Sequence, residues 1–267
     1  MDVQMNETQT QRLTRSVAKA LGILESFTER VPSLSFTELA QSSDLAPSTL
    51  RRLLTTLESL GYLQQDAHGL YRLGARALGL APPALAGYEV RNQALPVLDE
   101  LSVETGLNSN LGILYDGRML YLASVARNLP HRRLFGVPGR MAAAHSTALG
   151  KVLLAFRPFG EVVAMLEKAG GLIRRTPKTI TTWEALEAEL ARVRELGYAF
   201  DDEEAASGGL CVAAPARDRT GEVVAAISAS GMSWEIDRAK LDELAAKVVR
   251  QAETLSYKLG YAFAAEW

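Results

Sequence analysis

A run of leucines at helical spacing between residues 47 and 60 constrains the fold of this chain more than any other feature. The leucines are Leu50, Leu53, Leu54, Leu57 and Leu60. The opposite helix face carries Ser48, Arg51, Arg52, Thr55 and Ser59. Pro47 fits the first helical turn, because its missing N–H has no intrahelical partner there. The pattern therefore predicts an amphipathic helix with a buried leucine face and a basic, hydroxyl-bearing outer face.

The segments around this helix predict a winged helix-turn-helix. Residues 16–29 carry apolar side chains at helical spacing, and a short second helix is predicted from Ser35 to about residue 43, with Glu38 completing a capping box. After the leucine helix, Gly61 is a helix stop and residues 62–73 have the pattern of a β-hairpin. Two helices, a turn, a longer helix and a hairpin in this order are the layout of that motif.

The outer face of the leucine helix predicts contact with DNA. Hydroxyls and arginines bind phosphates, and an arginine can bind guanine with two hydrogen bonds in the major groove. Exposed arginines are common, so an ordinary solvated face is the alternative, but the position between a capped helix and a hairpin favours DNA. The predicted DNA-binding residues are Ser48, Thr49, Arg51, Arg52 and Thr55 on the helix, and His68 and Arg72 on the wing.

Composition narrows the protein class. The chain has 267 residues, 48% of them hydrophobic, and a net charge of −2, so DNA binding must depend on a local basic patch. Residues 1–14 are predicted to be a disordered leader without an apolar signal core, and no apolar run reaches about 20 residues, so a cytoplasmic protein is expected. The single cysteine, Cys211, excludes a disulfide framework. Neither a metal nor a cofactor is expected.

The rest of the chain has an α/β pattern. Residues 15–80 are assigned to the DNA-binding domain. Residues 81–106 are assigned to a connector with a linker helix, and residues 107–267 to a second domain of the α+β class. The connector itself is predicted at residues 80–87 and the linker helix at residues 88–105. Strands are predicted at residues 110–115, 118–125, 132–136, 198–201, 210–216 and 223–230. Helices are predicted at residues 147–155, 161–168, 183–196 and 237–259.

Three features of the second domain indicate a binding site for a small acid. Ser228 and Ser230 share one face of a predicted strand, and buried hydroxyls need hydrogen-bond partners. Cys211 shares a strand face with Ala213, and the helix that starts near Ser146 offers free N–H groups to an anion. Buried serine and cysteine residues are also common as satisfied core residues, and the acidic run 202–204 is expected to be a solvated turn.

Ordered blocks along the chain match one known family. In the first domain these are residues 16–24, 34–40, 48–54, 60–63 and 71–74. The more specific blocks are residues 145–151 (HSTALGK), 197–204 (GYAFDDEE) and 208–215 (GGLCVAAP). From about residue 15 to residue 257 the chain resembles the IclR family of bacterial transcription regulators. Asp44 stands where that family usually has glycine; aspartate tolerates the left-handed conformation, so the turn is expected to form with slightly altered geometry.

The resemblance implies a regulator rather than an enzyme, with a winged helix-turn-helix domain and a GAF-like effector-binding domain. The implied effector site comprises Ala148, Leu149, Asp201, Cys211, Ser228 and Ser230, with Met141 and Leu210 as apolar walls. Ala148 and Leu149 would bind through backbone N–H groups, and Asp201 would accept a bond from a ligand hydroxyl. The expected partners are double-stranded operator DNA and a small organic acid, hydroxylated or aromatic. The protein would control a catabolic operon as a repressor or an activator.

Recognition of paired half-sites predicts a homodimer or a dimer of dimers. The apolar stripes of the helices at residues 16–29 and 88–105 are the predicted dimer surfaces. An alternative is a small-molecule hydrolase or a cofactor-free sensor, in which Cys211 is a nucleophile, His145 its base, and the N-terminal helices mediate association. A lone cysteine in an apolar strand is more often inert, because a reactive thiol needs electropositive, partly exposed surroundings.

Overall fold

The computed structural model describes residues 14–28, 31–126 and 136–262. They divide into two compact units, one ending at Ala84 and the other beginning at Leu85. Most of the predicted leader, and residues 132–135 of one predicted strand, lie outside the described residues. No helix in the described part of the chain is long and apolar enough to cross a membrane.

The first unit has the predicted order of helices and hairpin. Its elements are α1 (Arg15–Glu25), α2 (Phe36–Ser42), α3 (Pro47–Ser59), β1 (Leu63–Gln65), β2 (Tyr71–Leu73) and α4 (Ala75–Leu78), and α5 (Ala81–Ala86) spans the boundary. Strands β1 and β2 pair antiparallel, and Leu34 forms a bridge to Tyr71. The leucine face of α3 packs with α1 and α2 around Ile23, Leu39 and Leu50. This is a winged helix-turn-helix.

Local chemistry sets the boundaries of these elements. The Ser35 hydroxyl accepts a bond from the Glu38 N–H, and the Glu38 carboxylate accepts one from the Ser35 N–H, so the predicted capping box is present. Gly61 follows α3 with a φ of +76°, a conformation that favours glycine. Asp44 is not among the non-glycine residues with positive φ, so its turn forms without the left-handed conformation expected there.

The second unit is a six-stranded antiparallel sheet with helices on both faces. Its helices are α6 (Glu89–Thr105), α7 (Ala148–Ala155), α8 (Phe159–Lys168), α9 (Trp183–Leu196) and α10 (Leu241–Lys258). Its strands are β3 (Asn108–Tyr115), β4 (Arg118–Val125), β5 (Met141–Ala143), β6 (Ala199–Asp202), β7 (Gly209–Arg217) and β8 (Val223–Met232). The strand order is β5-β4-β3-β8-β7-β6, so β8, the last strand in sequence, lies in the middle.

The two faces of the sheet bury different side chains. On one face Val212 and Ile227 pack against α6 and α10, and on the other Ala213 and Ala226 pack against α7, α8 and α9. The alternation follows from the two-residue period of a strand. The predicted effector residues can therefore be sorted by face.

Some elements differ from the sequence-based assignment. The predicted connector at residues 80–87 contains a helix, α5, because Pro82 and Pro83 fall in its first turn, where they are tolerated. The predicted linker helix, α6, is part of the core of the second unit, where Ala94, Leu98 and Leu101 are fully buried. Its apolar stripe is thus covered within one chain and does not form the free dimer surface that was expected.

Candidate functional site

The outer face of α3 is the predicted DNA-reading surface. Ser48, Arg51, Arg52 and Thr55 are exposed there and Thr49 is half-buried, while Leu50, Leu54 and Leu57 are buried on the opposite face. Leu60, predicted on the buried face, is exposed because it caps the helix end. The structure therefore places all five predicted α3 side chains on the accessible side of the unit or at its edge.

The two arginines of α3 have different surroundings. The Arg51 guanidinium carbon lies 5.0 Å from the centre of the Phe36 ring at the start of α2, a cation–π contact that connects the two helices. The backbone carbonyl of Arg52 accepts a hydrogen bond from the Thr56 hydroxyl at 2.8 Å. Arg51 is thus the arginine whose side chain is held in a defined direction against a neighbouring helix.

The wing presents His68 and Arg72, both exposed. The Asp66 carboxylate accepts bonds from the N–H groups of His68 and Leu70, both at 2.9 Å, and this fixes the turn. The Leu70 N–H is the main cause that lowers the pKa of Asp66. Arg72 donates to the Gln64 side chain across the hairpin at 3.4 Å. Asp66 was not singled out from the sequence, although an aspartate at the start of a turn often accepts a bond from the N–H two residues later.

In the second unit, strand register aligns polar residues in two rows on the α7 face of the sheet. Directly opposed residues on neighbouring strands share a face. The first row consists of Asn108, Ser230, Cys211 and Asp201, on β3, β8, β7 and β6. The second row consists of Ser124, Asn110, Ser228 and Ala213, on β4, β3, β8 and β7. Four predicted effector residues therefore lie together, although they come from three separate strands.

Asn110 is the centre of the hydrogen bonding between these rows. Its amide nitrogen donates to Ser230 Oγ at 2.9 Å and to Ser228 Oγ at 3.3 Å, and its amide oxygen accepts from Ser124 Oγ at 2.9 Å. Ser230 also donates to the carbonyl of Asn108 at 3.3 Å. The two buried serines thus have protein partners. Sequence reasoning missed Asn110; the signal was the pair of asparagines, two residues apart, at the start of a strand that is mainly apolar after Asn110.

Helix α7 begins over this face of the sheet. The Thr147 hydroxyl accepts from the Gly150 N–H at 3.0 Å, and its carbonyl accepts from the Lys151 N–H at 2.9 Å. The N–H groups of Ala148 and Leu149 are the two in the first turn that have no acceptor within the helix. Both residues are buried, and α7 packs on β3, β7 and β8. The predicted backbone donors are therefore adjacent to the strands that carry the polar rows.

Burial favours the neutral forms of the ionisable groups in and beside the rows. Burial raises the pKa of Asp201 to about 7, although its carboxylate accepts bonds from the N–H groups of Glu204 and Ala205. Burial, followed by the nearby Asp201 carboxyl, raises the pKa of Cys211 to about 12. Burial also raises the pKa of Tyr121, which lies near both groups. The rows are thus a buried cluster with hydrogen-bonding capacity, in which burial disfavours the charged forms of the acidic groups.

The hydrolase alternative has no support in this geometry. The Cys211 thiol stays protonated at neutral pH, so it is a poor nucleophile. His145, its suggested base, has its Nε2 at 3.2 Å from the carbonyl of Ile173, and burial lowers its pKa. Among the residues with described positions, no cluster of histidine, cysteine or carboxylate side chains has the arrangement of a metal site.

A buried ion pair beside the site was also missed by sequence reasoning. Lys151 of α7 is 1% exposed, and its ammonium lies 2.9 Å from Glu189 and 2.6 Å from Glu204. Burial is the main cause that raises the pKa of Glu204. The run 202–204, expected to be a solvated turn, therefore has its last carboxylate inside the protein. The only sequence signal was one lysine in an otherwise apolar helix.

Two predicted wall residues do not belong with the rows. Leu210 lies on the opposite face of β7, in the core formed with α6 and α10, because it alternates with Cys211. Met141 lies on the edge strand β5 opposite Leu120, which packs with that same opposite core, and Met141 is 41% exposed. The structure therefore separates these two predicted wall residues from the rows that contain Asp201, Cys211, Ser228 and Ser230.

Comparison with known proteins gives consistent matches over both units. A family model described as the IclR helix-turn-helix domain matches residues 16–67, and one described as the C-terminal part of the bacterial transcriptional regulator IclR matches residues 83–257. The regulators XynR and KdgR of Escherichia coli K12 are 36% and 35% identical over 93% and 92% of this chain, and over 98% and 93% of their own lengths. The crystal structure of Thermotoga maritima IclR is 28% identical, covers 93% of this chain and all of that one, and has a TM-score of 0.68.

Proposed function

Since this chain belongs to the IclR family of bacterial transcriptional regulators, we propose that it is a homodimeric regulator of a catabolic operon whose affinity for operator DNA is set by a small organic acid. Family membership confirms the resemblance found in the sequence, and it makes the chain a transcriptional regulator rather than an enzyme. Relatives that are 33% and 32% identical are named an acetate operon repressor and a glycerol operon regulatory protein.

One observation carries the DNA-binding role. The outward face of α3 combines two arginines with the hydroxyls of Ser48 and Thr55, and none of these side chains is buried. The contact with Phe36 orients the Arg51 side chain, and we assign Arg51 to hydrogen bonds with a base edge in the major groove. Arg52 is assigned to a phosphate of the DNA backbone. His68 and Arg72 on the wing contact the flanking backbone.

The effector role rests on the junction of α7 and the polar rows. A carboxylate loses its hydration on burial and needs several donors in exchange. The N–H groups of Ala148 and Leu149 supply two without a counter-charge, as helix N-termini do for anions. The effector is therefore a monoacid, since Asp201 would oppose a second carboxylate whenever it is ionised.

The proposal is tested by fluorescence anisotropy of a labelled DNA fragment that flanks the protein's own gene, titrated with the full chain at several salt concentrations. We expect sequence-selective, salt-sensitive binding that a subset of aliphatic or aromatic monoacids shifts at least fivefold. An acid can change the affinity for DNA only if it prefers one conformation of the protein, so acids of similar charge serve as internal controls. Equal affinity for the gene-flanking fragment and a scrambled fragment, with no response to any acid, would refute it.

A further inference from the structure

We propose that Asn108 is a specificity-determining residue of the effector site and that it selects acids bearing a hydroxyl group at the end remote from the carboxylate. This inference rests on the proposed effector-binding function and identifies the ligand class of that same site.

The position of Asn108 is fixed by the register of β3. It lies directly opposite Ser230, in the row that continues to Cys211 and Asp201, so its side chain is on the α7 face. Asn110, two residues along the same strand, shares that face and contacts both serines. Asn108 is thus part of the cluster to which the predicted effector residues belong.

The amide of Asn108 differs from every other polar group in these rows. The residue is 1% exposed, and neither its amide nitrogen nor its amide oxygen has a hydrogen-bond partner. Asn110 uses both ends of its amide, Ser230 is bonded on two sides, and Asp201 accepts from two N–H groups. Buried polar groups without partners are rare in folded proteins, so an orphaned carboxamide in a binding cluster points to a ligand.

The chemistry of the amide defines what it can recognise. A carboxamide offers donors on nitrogen and acceptor lone pairs on oxygen, so its complement must both accept and donate. An alcohol hydroxyl does this with a single oxygen atom. A second carboxylate would bond the amide nitrogen but face the amide oxygen with negative charge, and a hydrocarbon group would leave both atoms unpaired.

Geometry places this hydroxyl far from the carboxylate. The Leu149 side chain, at the start of α7, contacts β3 at Gly112, where an added Cβ would lie 3.2 Å from Leu149 Cδ1. Gly112 is four residues from Asn108 along the strand, a distance of about 13 Å at the usual rise per residue. A ligand whose carboxylate binds at the helix start therefore presents its other end, and not its α-carbon, to Asn108.

The test uses two matched series of acids and calorimetry on the full-length protein. One series is hexanoate, 6-hydroxyhexanoate and adipate, and the other is benzoate, 4-hydroxybenzoate and terephthalate. In the series that binds, we expect the hydroxyl-bearing member to bind about tenfold or more tightly than both its parent acid and the diacid. In Asn108→Val this preference should fall below about threefold, because the group that reads the hydroxyl is gone. Asn92→Leu, at an exposed position of α6, is the control and should keep the preference.

A measurement without ligand separates a recognition role from a structural one. If the amide has no partner in the free protein, replacing it removes no hydrogen bond. At least one of the two variants, Asn108→Val or Asn108→Ala, should therefore have a urea midpoint equal to or above that of the wild type. A drop in both variants, or a hydroxyl preference that survives in Asn108→Val, overturns the inference while leaving the proposed function intact. If no acid of either series binds, the inference is overturned, whereas the proposed function is decided by the anisotropy titration with operator and scrambled DNA.

Discussion

At the scale of single residues, the hydrogen bonds of Asn110 change what can be expected of Ser228 and Ser230. From the sequence, these hydroxyls were candidates because a buried serine needs a partner, and the ligand was the suggested one. The structure provides that partner within the protein. The serines therefore contribute to the fold as well as to the proposed effector site.

Replacing either serine with alanine should lower both the free energy of unfolding and the affinity for the effector. Ser230→Ala removes an acceptor of the Asn110 amide and a bond to the Asn108 carbonyl, so we expect a loss of about 1–3 kcal/mol in stability by urea denaturation. The loss in effector binding should be about 1–2 kcal/mol by calorimetry. Ser207→Ala, at an exposed position, is the control. Unchanged stability in both serine variants would contradict the assigned bonds.

Replacing Arg51 with alanine should weaken specific DNA binding by about 1–3 kcal/mol and relax selectivity at one base pair. The variant also loses the contact with Phe36, so Arg51→Lys is needed as a comparison, because lysine keeps the charge without the planar guanidinium. We expect Arg51→Lys to retain non-specific binding and to lose selectivity. Anisotropy titrations against single-base operator variants provide the measurement. Unaltered affinity and selectivity in Arg51→Ala would place base readout elsewhere.

The raised pKa of Asp201 predicts a pH dependence of stability. Its folded-state pKa of about 7 lies above the ordinary value of 3.8, so the folded state holds the proton more tightly than the unfolded chain. Its stabilising contribution is complete below about pH 4 and is lost as the pH rises towards 7. Asp201→Asn keeps an oxygen acceptor for the N–H groups of Glu204 and Ala205 but does not titrate. The difference in unfolding free energy between the variant and the wild type should therefore grow between pH 4 and pH 7, by at most about 4 kcal/mol. A constant difference would show that Asp201 is ionised throughout.

At the scale of elements, α7 is held from two directions by one buried ammonium. Lys151 pairs with Glu189 of α9 and with Glu204, which follows β6. Glu204 is also bonded through its backbone carbonyl to the Thr179 hydroxyl at 2.7 Å. The start of α7, where the proposed carboxylate binds, is thereby connected to the loop after Asp201.

Lys151→Met should destabilise the protein by about 3–5 kcal/mol, because it leaves buried carboxylates without their counter-charge. Adding Glu204→Gln to this variant should recover part of the loss, since the neutral amide has a lower cost of burial. Lys168→Met is the matched control, because its ion pair with Asp116 is exposed, and we expect little change there. Thermal unfolding of the four proteins would settle the comparison. Equal destabilisation by Lys151→Met and Lys168→Met would mean that the buried ion pair stabilises the protein no more than the exposed one does.

Elements were predictable from the sequence where periodicity was long and flanking signals were strong. The strand Arg118–Val125 and the helix Trp183–Leu196 have the predicted bounds. The strand Met141–Ala143 was missed because three residues carry too little alternation to be recognised. Asn110 and Lys151 were missed because their partners lie far away in sequence. Asn108 was missed because its place opposite Ser230 depends on a strand register that the local pattern does not contain.

At the scale of the whole molecule, one of the two predicted dimer surfaces, the apolar stripe of α1, is exposed in the described structure. The apolar stripe of α6 is covered within its own unit, but Val17 and Leu21 on α1 are 56% and 53% exposed. We expect light scattering to show at least a dimer at micromolar concentration, and Val17→Asp with Leu21→Asp to weaken the dimer and, with it, binding to paired half-sites by more than tenfold. A monomer that binds operator DNA with full affinity would contradict this.

Because β8 is central in the sheet but last among the strands in sequence, the second unit can be completed only late in translation. The chain is made from its N-terminus, and domains generally fold as they emerge. The proposed DNA-reading helix, α3, ends at Ser59, whereas both polar rows include residues of β8, which begins at Val223. A protein truncated before β8 would keep the winged helix-turn-helix but lack the proposed effector site. We therefore expect a truncated allele to encode a regulator that does not respond to its effector.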